Sequence, residues 1–330
     1  MLRRATVNPI LTRADVPAMD GLFDPSSVFN PGAVEHGGRV HLMLRVQARS
    51  RATSLVLASS VDGRRFEVDD RPVVFEGLER EPRTLHHVYD PRLTRVDDGV
   101  VVLFAADMDD ACRLGVARSV APHDLRADGG FEFLGFTDWP SRNGVLFPER
   151  IDGRWCRLER PNLVTDDGGV ATGDAVRLAW SDDLVTWELD ETVLFEGRWR
   201  YWDELIGPGP PPLRTSAGWL CLYHGVATHF ASANIYQAGA VLLDASDPRR
   251  VIGRTWDNLL EPREPYELTG QVPNVVFPSG AVVRGLEPGA AAADGDEVLV
   301  YYGAADTCVG LAMGQVGELV EACLKGGGPT

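Results

Sequence analysis

Nine polar side chains stand at or near the ends of otherwise apolar, β-type runs: Asn30, Arg45, Asp90, Arg92, Asp107, Arg142, Arg160, His224 and Asp306. Carboxylates are common proton-transfer groups, and arginines hold anions through a fork of donors. Brought to one place, a set with both signs would bind a polar, charged ligand. For any single member, a solvated strand end is the plain alternative. Metal chemistry is not indicated. The seven histidines are scattered, His86, His87 and His229 are read as loop or pocket-edge residues, and no H-x-x-x-H pattern lies on a predicted helix. The five cysteines (Cys112, Cys156, Cys221, Cys308, Cys323) are odd in number, widely spaced and without a C-x-x-C pair. Three sit in apolar runs, where a free thiol acts as a small hydrophobe. A reduced, cytoplasmic protein without disulfides or a cysteine-zinc site is expected.

The elements that must carry these side chains recur along the chain. Five runs read as strands: 40–46, 100–107, 154–160, 219–226 and 297–305. Each follows a tight turn, at 36–38, 97–99, 152–153, 216–218 and 294–296. Upstream of each turn lies a shorter strand with a proline near its start: FNPGAVE (29–35), YDPRLTRV (89–96), LFPERI (146–151), GPPPLRT (209–215) and VFPSGAVV (276–283). Another strand follows downstream, at 55–60, 113–119, 175–181, 238–246 and 308–314. Units of roughly sixty residues built in this way predict an all-β, five-bladed β-propeller with a short C-terminal helix at 316–325. A β-sandwich, the rival, predicts no such period. The chain is read as one catalytic domain, 1–330, with residues 1–24 an N-terminal extension and 316–330 a C-terminal strap.

Composition narrows the partners. Against 48 Asp+Glu there are 32 Lys+Arg, a net charge of −16, which argues against nucleic acid or an anionic membrane. No apolar run approaches the roughly 18 residues of a membrane span, and the N-terminus lacks a signal-peptide core.

The motifs resemble those of glycoside hydrolase family 130, the β-mannoside phosphorylases and related β-mannosidases. The resemblance rests on FNPGAVEHGGRVHLMLRV (29–46), VYDPRLTRV (88–96), RNGVLFPERIDGRWCRLERP (142–161), IGPGPPPLRTSAGWLCLYHGV (206–226), YQAGAVLLD (236–244), YELTGQVPNVVFPSG (266–280) and YYGAADTCVGLA (301–312). They run in family order over about residues 25 to 315. The family's fold is a five-bladed propeller, in agreement with the period.

Carried over position by position, the resemblance implies that Asp90 is the proton donor. In some members that transfer is relayed through a sugar hydroxyl. Asn30, Arg45 and Asp306 would hold the mannose, and Arg142, Arg160 and His224 would bind phosphate. Phosphate is then the nucleophile, so one acid suffices, and inverting attack gives α-mannose 1-phosphate. Inorganic phosphate is a co-substrate, no cofactor or metal is implied, and a β-mannoside oligosaccharide is the expected partner; family members often form dimers or larger assemblies, and a homo-oligomer is left open. Tyr89, Trp139, Trp202, Tyr236 and Tyr266 could stack on sugar faces, Tyr236 being the one placed in the substrate site; core packing is the alternative for each. Glu267 reads as a structural carboxylate.

One departure matters. Many family phosphorylases have a lysine just before the glycine of the IGxGPPP segment; here YWDELIGPG offers Leu205, preceded by Asp203 and Glu204. An inverting hydrolase needs a second carboxylate, roughly 6.5–9.5 Å from the acid, to activate water. Glu204 is the candidate base for hydrolysis, Asp203 the second choice. The structural alternative pairs Glu204 with Arg198 or Arg200. A glycan-binding propeller without catalysis is the third reading.

Overall fold

The computed structural model describes residues 1–97, 99–121, 125, 130–162, 173, 175–229 and 233–327. Five antiparallel sheets follow one another as the blades of a β-propeller. Blade 1 runs outward through Pro25–His36, Arg39–Ala48, Thr53–Ser60 and Glu67–Pro72. Blade 2 comprises Leu85–Val96, Gly99–Met108, Cys112–Ser119 and Phe131–Phe136, with Phe75–Glu76 added in parallel at its edge. Blade 3 comprises Ser141–Leu146, Trp155–Pro161, Ala175–Ser181 and Glu188–Glu196. In blade 4 the innermost strand is broken into Leu205–Pro208 and Leu213–Thr215, followed by Gly218–Ala227, Ile235–Leu243 and Val251–Arg254. Blade 5 takes Val276–Val283, Glu297–Ala304 and Cys308–Gln315 from the end of the chain and its outermost strand, Arg3–Arg4, from the beginning.

The second strands read as continuous apolar runs because both of their faces are covered. Successive side chains point to opposite faces, so each strand serves two interblade cores. Leu42 and Leu44 pack with Leu299 and Tyr301 of blade 5, while Met43 packs with Val102 and Phe104 of blade 2. Leu103 and Trp155 meet between blades 2 and 3, Leu158 and Trp219 between 3 and 4, and Leu222 and Val300 between 4 and 5. Each fully buried side chain of this kind contributes about 1.5–3 kcal/mol, so the ring is held at its interfaces. The five cysteines are free and buried within this framework.

Ring closure draws on the N-terminal stretch read as an extension. Arg3 and Arg4 pair with Met313 and Ala312, and the Arg4 guanidinium donates at 2.7 Å to each oxygen of Glu267. Glu267 is fully buried and also accepts from the Tyr302 hydroxyl at 2.8 Å. The C-terminal helix, Val316–Gly326, buries Val316, Leu319, Val320 and Cys323. The last three residues of the expected strap lie outside the described residues. Among those described, no helix is long and apolar enough to cross a membrane.

Two inner strands differ from the sequence expectation. In blade 3 the strand is Ser141–Leu146, and LFPERI forms its exit, since Pro148 has no N–H for the ladder. In blade 4 the prolines 210–212 interrupt the strand for the same reason. The prolines near the other inner strands mark β-bulges. Register shifts fall between Phe29 and Gly32, Tyr89 and Arg92, and Pro278 and Gly280, and blade 3 has its own between Arg142 and Val145. Within three of these bulges sit Asn30, Asp90 and Asn143, at φ 45°, 51° and 61°. A bulge re-aims the side chain it carries, and positive φ in non-glycine residues concentrates at functional sites.

Candidate active site

The re-aimed side chains meet in a cavity of about 390 Å³ at one end of the propeller. The eight residues given substrate, phosphate or proton-donor roles by the resemblance or the aromatic reading line it: Asn30, Arg45, Asp90, Arg142, Arg160, His224, Tyr236 and Asp306. Tyr89, Asp107, Asn143, Val272, Val275 and Phe277 complete the wall. Asn143 escaped sequence reasoning although it follows Arg142 directly; its signal was an Asn-Gly step at the place where blades 1 and 2 have Asn-Pro and Asp-Pro.

Asp90 is the centre of one half. Its Oδ1 accepts from Asn30 Nδ2 at 3.0 Å and from Arg45 Nη1 at 2.9 Å, and among the described residues Oδ2 takes no hydrogen bond. The Arg45 guanidinium is stacked between the rings of Phe29 and Tyr89, 4.5 and 4.6 Å from their centres, which fixes its direction. Asn30 can approach because Gly303 faces it; a Cβ there would overlap the Asn30 amide oxygen. That oxygen is buried without a partner, an acceptor in need of a donor. Asp306 stands nearby with its pKa pushed up to about 6, first by burial and then by the Asp90 charge, with Arg45 opposing. Beneath, Arg92 donates through Nε to Gly209 O at 2.7 Å and through Nη1 to the carbonyls of Asp90 and Pro91 at 3.1 Å. It ties the acid's bulge to blade 4.

The other half is cationic. Arg142 and Arg160 are register partners on adjacent strands of blade 3. Arg160 is buried, spends one donor on Ile206 O at 3.2 Å, and leaves its Nε without a partner. Burial and the neighbouring Arg142 lower its pKa to about 10, still far above neutrality. Arg142 also has an unpartnered Nε, and its Nη2 lies 3.8 Å from Asp107. His224 is paired in register with Gly207, whose lack of a side chain gives the ring its room. Burial, then Arg160 and Arg92, hold the His224 pKa well below the usual value, so the ring is neutral at physiological pH. Its Nδ1 is buried and unpartnered. Two arginine side chains and a neutral imidazole lining one cavity form a ready receptor for an oxyanion.

Glu204 is not brought into this cavity. Its carboxylate accepts from the Thr228 hydroxyl, and it pairs with neither Arg198 nor Arg200. Arg198 belongs instead to Asp203, which is fully buried and also bonded by Arg254 and the Tyr223 hydroxyl. Leu205 sits on the strand opposite Val226. Of the five aromatics noted, Tyr89 and Tyr236 line the cavity; Trp139 donates to Glu159, Trp202 to Trp256 O, and Tyr266 meets Tyr302. Among the described residues no group of three or more His, Cys, Asp or Glu is arranged to hold a metal.

Comparison with known proteins gives this pocket a context. The family described as beta-1,4-mannooligosaccharide phosphorylase matches residues 1–325. The beta-1,4-mannooligosaccharide phosphorylase of Ruminococcus albus is 32% identical over 96% of this chain and 89% of its own. The 1,2-beta-oligomannan phosphorylase of Thermoanaerobacter is 31% identical over 94% of this chain and 96% of its own. Among solved structures, the beta-1,2-mannobiose phosphorylase of Listeria innocua, in complex with beta-1,2-mannobiose, superposes with a TM-score of 0.80 at 26% identity, covering 98% of this chain and 99% of that one. With the match spanning nearly every residue, this five-bladed propeller belongs to glycoside hydrolase family 130.

Proposed function

We propose that the protein is an inverting β-mannoside phosphorylase, and that the pocket divides its work as its charges divide. The observation that carries this reading is the pair Arg142 and Arg160, lining one cavity beside His224, with Arg160 free of any carboxylate partner among the described residues.

A mannosyl residue sits on the Asn30–Asp90–Asp306 side. Phosphate rests against Arg142 and Arg160, whose planar donors match its oxygens, and His224 adds a neutral contact without competing charge. A phosphate oxygen forms a bond to the anomeric carbon as the bond from that carbon to the glycosidic oxygen breaks. Asp90 supplies the proton that the departing oxygen needs, directly or across a sugar hydroxyl. Asp306 stands by with its own pKa pushed up to about 6, by burial and then by the Asp90 charge. Inversion turns a β-mannoside into α-mannose 1-phosphate.

Hydrolysis would need a base opposite the acid, and Glu204, the residue expected for it, lies on Thr228 outside the cavity. The geometry supports phosphorolysis. The reading also implies inorganic phosphate as co-substrate and no bound cofactor. Proton and phosphorus NMR of the purified protein with β-mannobioses and phosphate tests it: the α-anomer of mannose 1-phosphate is expected, and free mannose as the sole product would overturn it.

A further inference from the structure

The carboxylate closest to the phosphate clamp has no part in the chemistry above. Asp107 ends the second strand of blade 2 and lines the same cavity. Its Oδ1 accepts from the Tyr89 hydroxyl at 2.8 Å and lies 3.8 Å from Arg142 Nη2. That separation is too long for a hydrogen bond, so Asp107 acts on Arg142 through charge. The Asp107 side chain is 39% exposed, so it is wetted by the cavity and has not been walled off as a buried structural pair.

We propose that Asp107 is a specificity-determining residue that sets the affinity for phosphate by partly neutralising Arg142. The inference rests on the phosphorylase reading. The charge count is simple. Arg142 and Arg160 face the anion, His224 is neutral, Arg45 is committed to Asp90, and Asp107 reduces the net attraction from two charges towards one. A phosphate dianion feels that carboxylate twice over, through direct repulsion and through a competitor for Arg142. The same carboxylate fixes the phenol of Tyr89, the residue immediately before the acid, so it links the two halves of the pocket.

The test compares wild type with Asp107→Asn and Asp107→Glu, by steady-state kinetics in phosphate and in mannoside and by calorimetric titration with inorganic phosphate alone. Asparagine keeps an acceptor for Tyr89 and removes the charge; glutamate keeps the charge. Asp107→Asn is expected to lower both the KM and the Kd for phosphate by about three- to tenfold, with the mannoside KM within about twofold of wild type. Asp107→Glu should stay near wild type for phosphate. An unchanged or weakened phosphate affinity in Asp107→Asn, or equal changes in both KM values, would overturn the proposal and make Asp107 a support for Tyr89. If the wild-type chain neither binds nor uses phosphate, the phosphorylase reading falls and this inference with it. If it uses phosphate and Asp107→Asn binds no tighter, this inference alone falls.

Discussion

Asn30 and Asp90 occupy the same place in successive blades and touch each other. Both sit in the bulge of an innermost strand, both precede a proline, both have positive φ, and Asn30 Nδ2 donates to Asp90 Oδ1 at 3.0 Å. One blade's amide orients the next blade's acid. The repeat that builds the ring therefore also builds the site.

Asp90→Asn is expected to reduce turnover by at least about a thousandfold, because asparagine has no proton to deliver to the leaving oxygen. Its shape preserves the acceptor for Asn30 and Arg45, so circular dichroism and thermal melting should stay near wild type. Single-turnover assays on folded protein would check it; substantial residual activity would contradict the assignment.

Gly303→Ala reaches the same acid from a distance. The added methyl overlaps the Asn30 amide, which must swing away from Asp90. A loss of about ten- to a hundredfold in kcat, with destabilisation of about 1–3 kcal/mol from overpacking, is expected. Kinetics and chemical denaturation measure the two effects separately.

Arg160→Gln should raise the KM for phosphate by about ten- to a hundredfold, the scale of one or two charge-assisted hydrogen bonds, while the mannoside KM changes little. Arg142→Ala should do the same. Equal losses for both substrates would place these arginines elsewhere in the reaction.

Asp306 makes stability depend on pH. Its folded-state pKa, about 6, lies above the ordinary 3.8, so the folded protein holds this proton more tightly than the unfolded chain. The stabilisation is present in full below about pH 3.8 and is lost as pH rises through 6. Asp306→Asn removes the loss. At pH 8 the variant should be more stable than wild type by up to about 2 kcal/mol, and the two should converge near pH 3.5. Thermal melts at the two pH values decide it, and activity should fall in the same variant.

Glu204→Gln and Asp203→Asn should part company. The first changes a carboxylate bonded to Thr228 outside the cavity and should leave kcat within about twofold. The second breaks a buried charge shared by Arg198, Arg254 and Tyr223 and should destabilise by about 3–5 kcal/mol. Loss of turnover in a stable Glu204→Gln protein would reopen hydrolysis.

The strands were legible because a doubly covered strand such as 40–46 or 219–226 is apolar on both faces and is bounded by glycine turns. Prolines in FNP, YDP and VFP were legible as marks near strand starts, and the structure gives their meaning as bulges. The pairing of Arg3–Arg4 with the last blade was not legible, since two residues carry no period. Nor was the direction of Glu204: neighbouring residues in YWDEL look equivalent in the chain, yet Asp203 turns into a buried arginine cluster and Glu204 to Thr228. Asp107 was visible as a polar strand end, but its nearness to Arg142 depends on blades 2 and 3 being packed side by side.

The most direct measurement is the initial rate of mannoside cleavage as phosphate is titrated from zero at saturating β-mannobiose, with products identified at each point. A rate that rises hyperbolically from near zero, with mannose 1-phosphate formed in step with the released sugar, is the predicted result. A rate indifferent to phosphate, with free mannose as product, would contradict it.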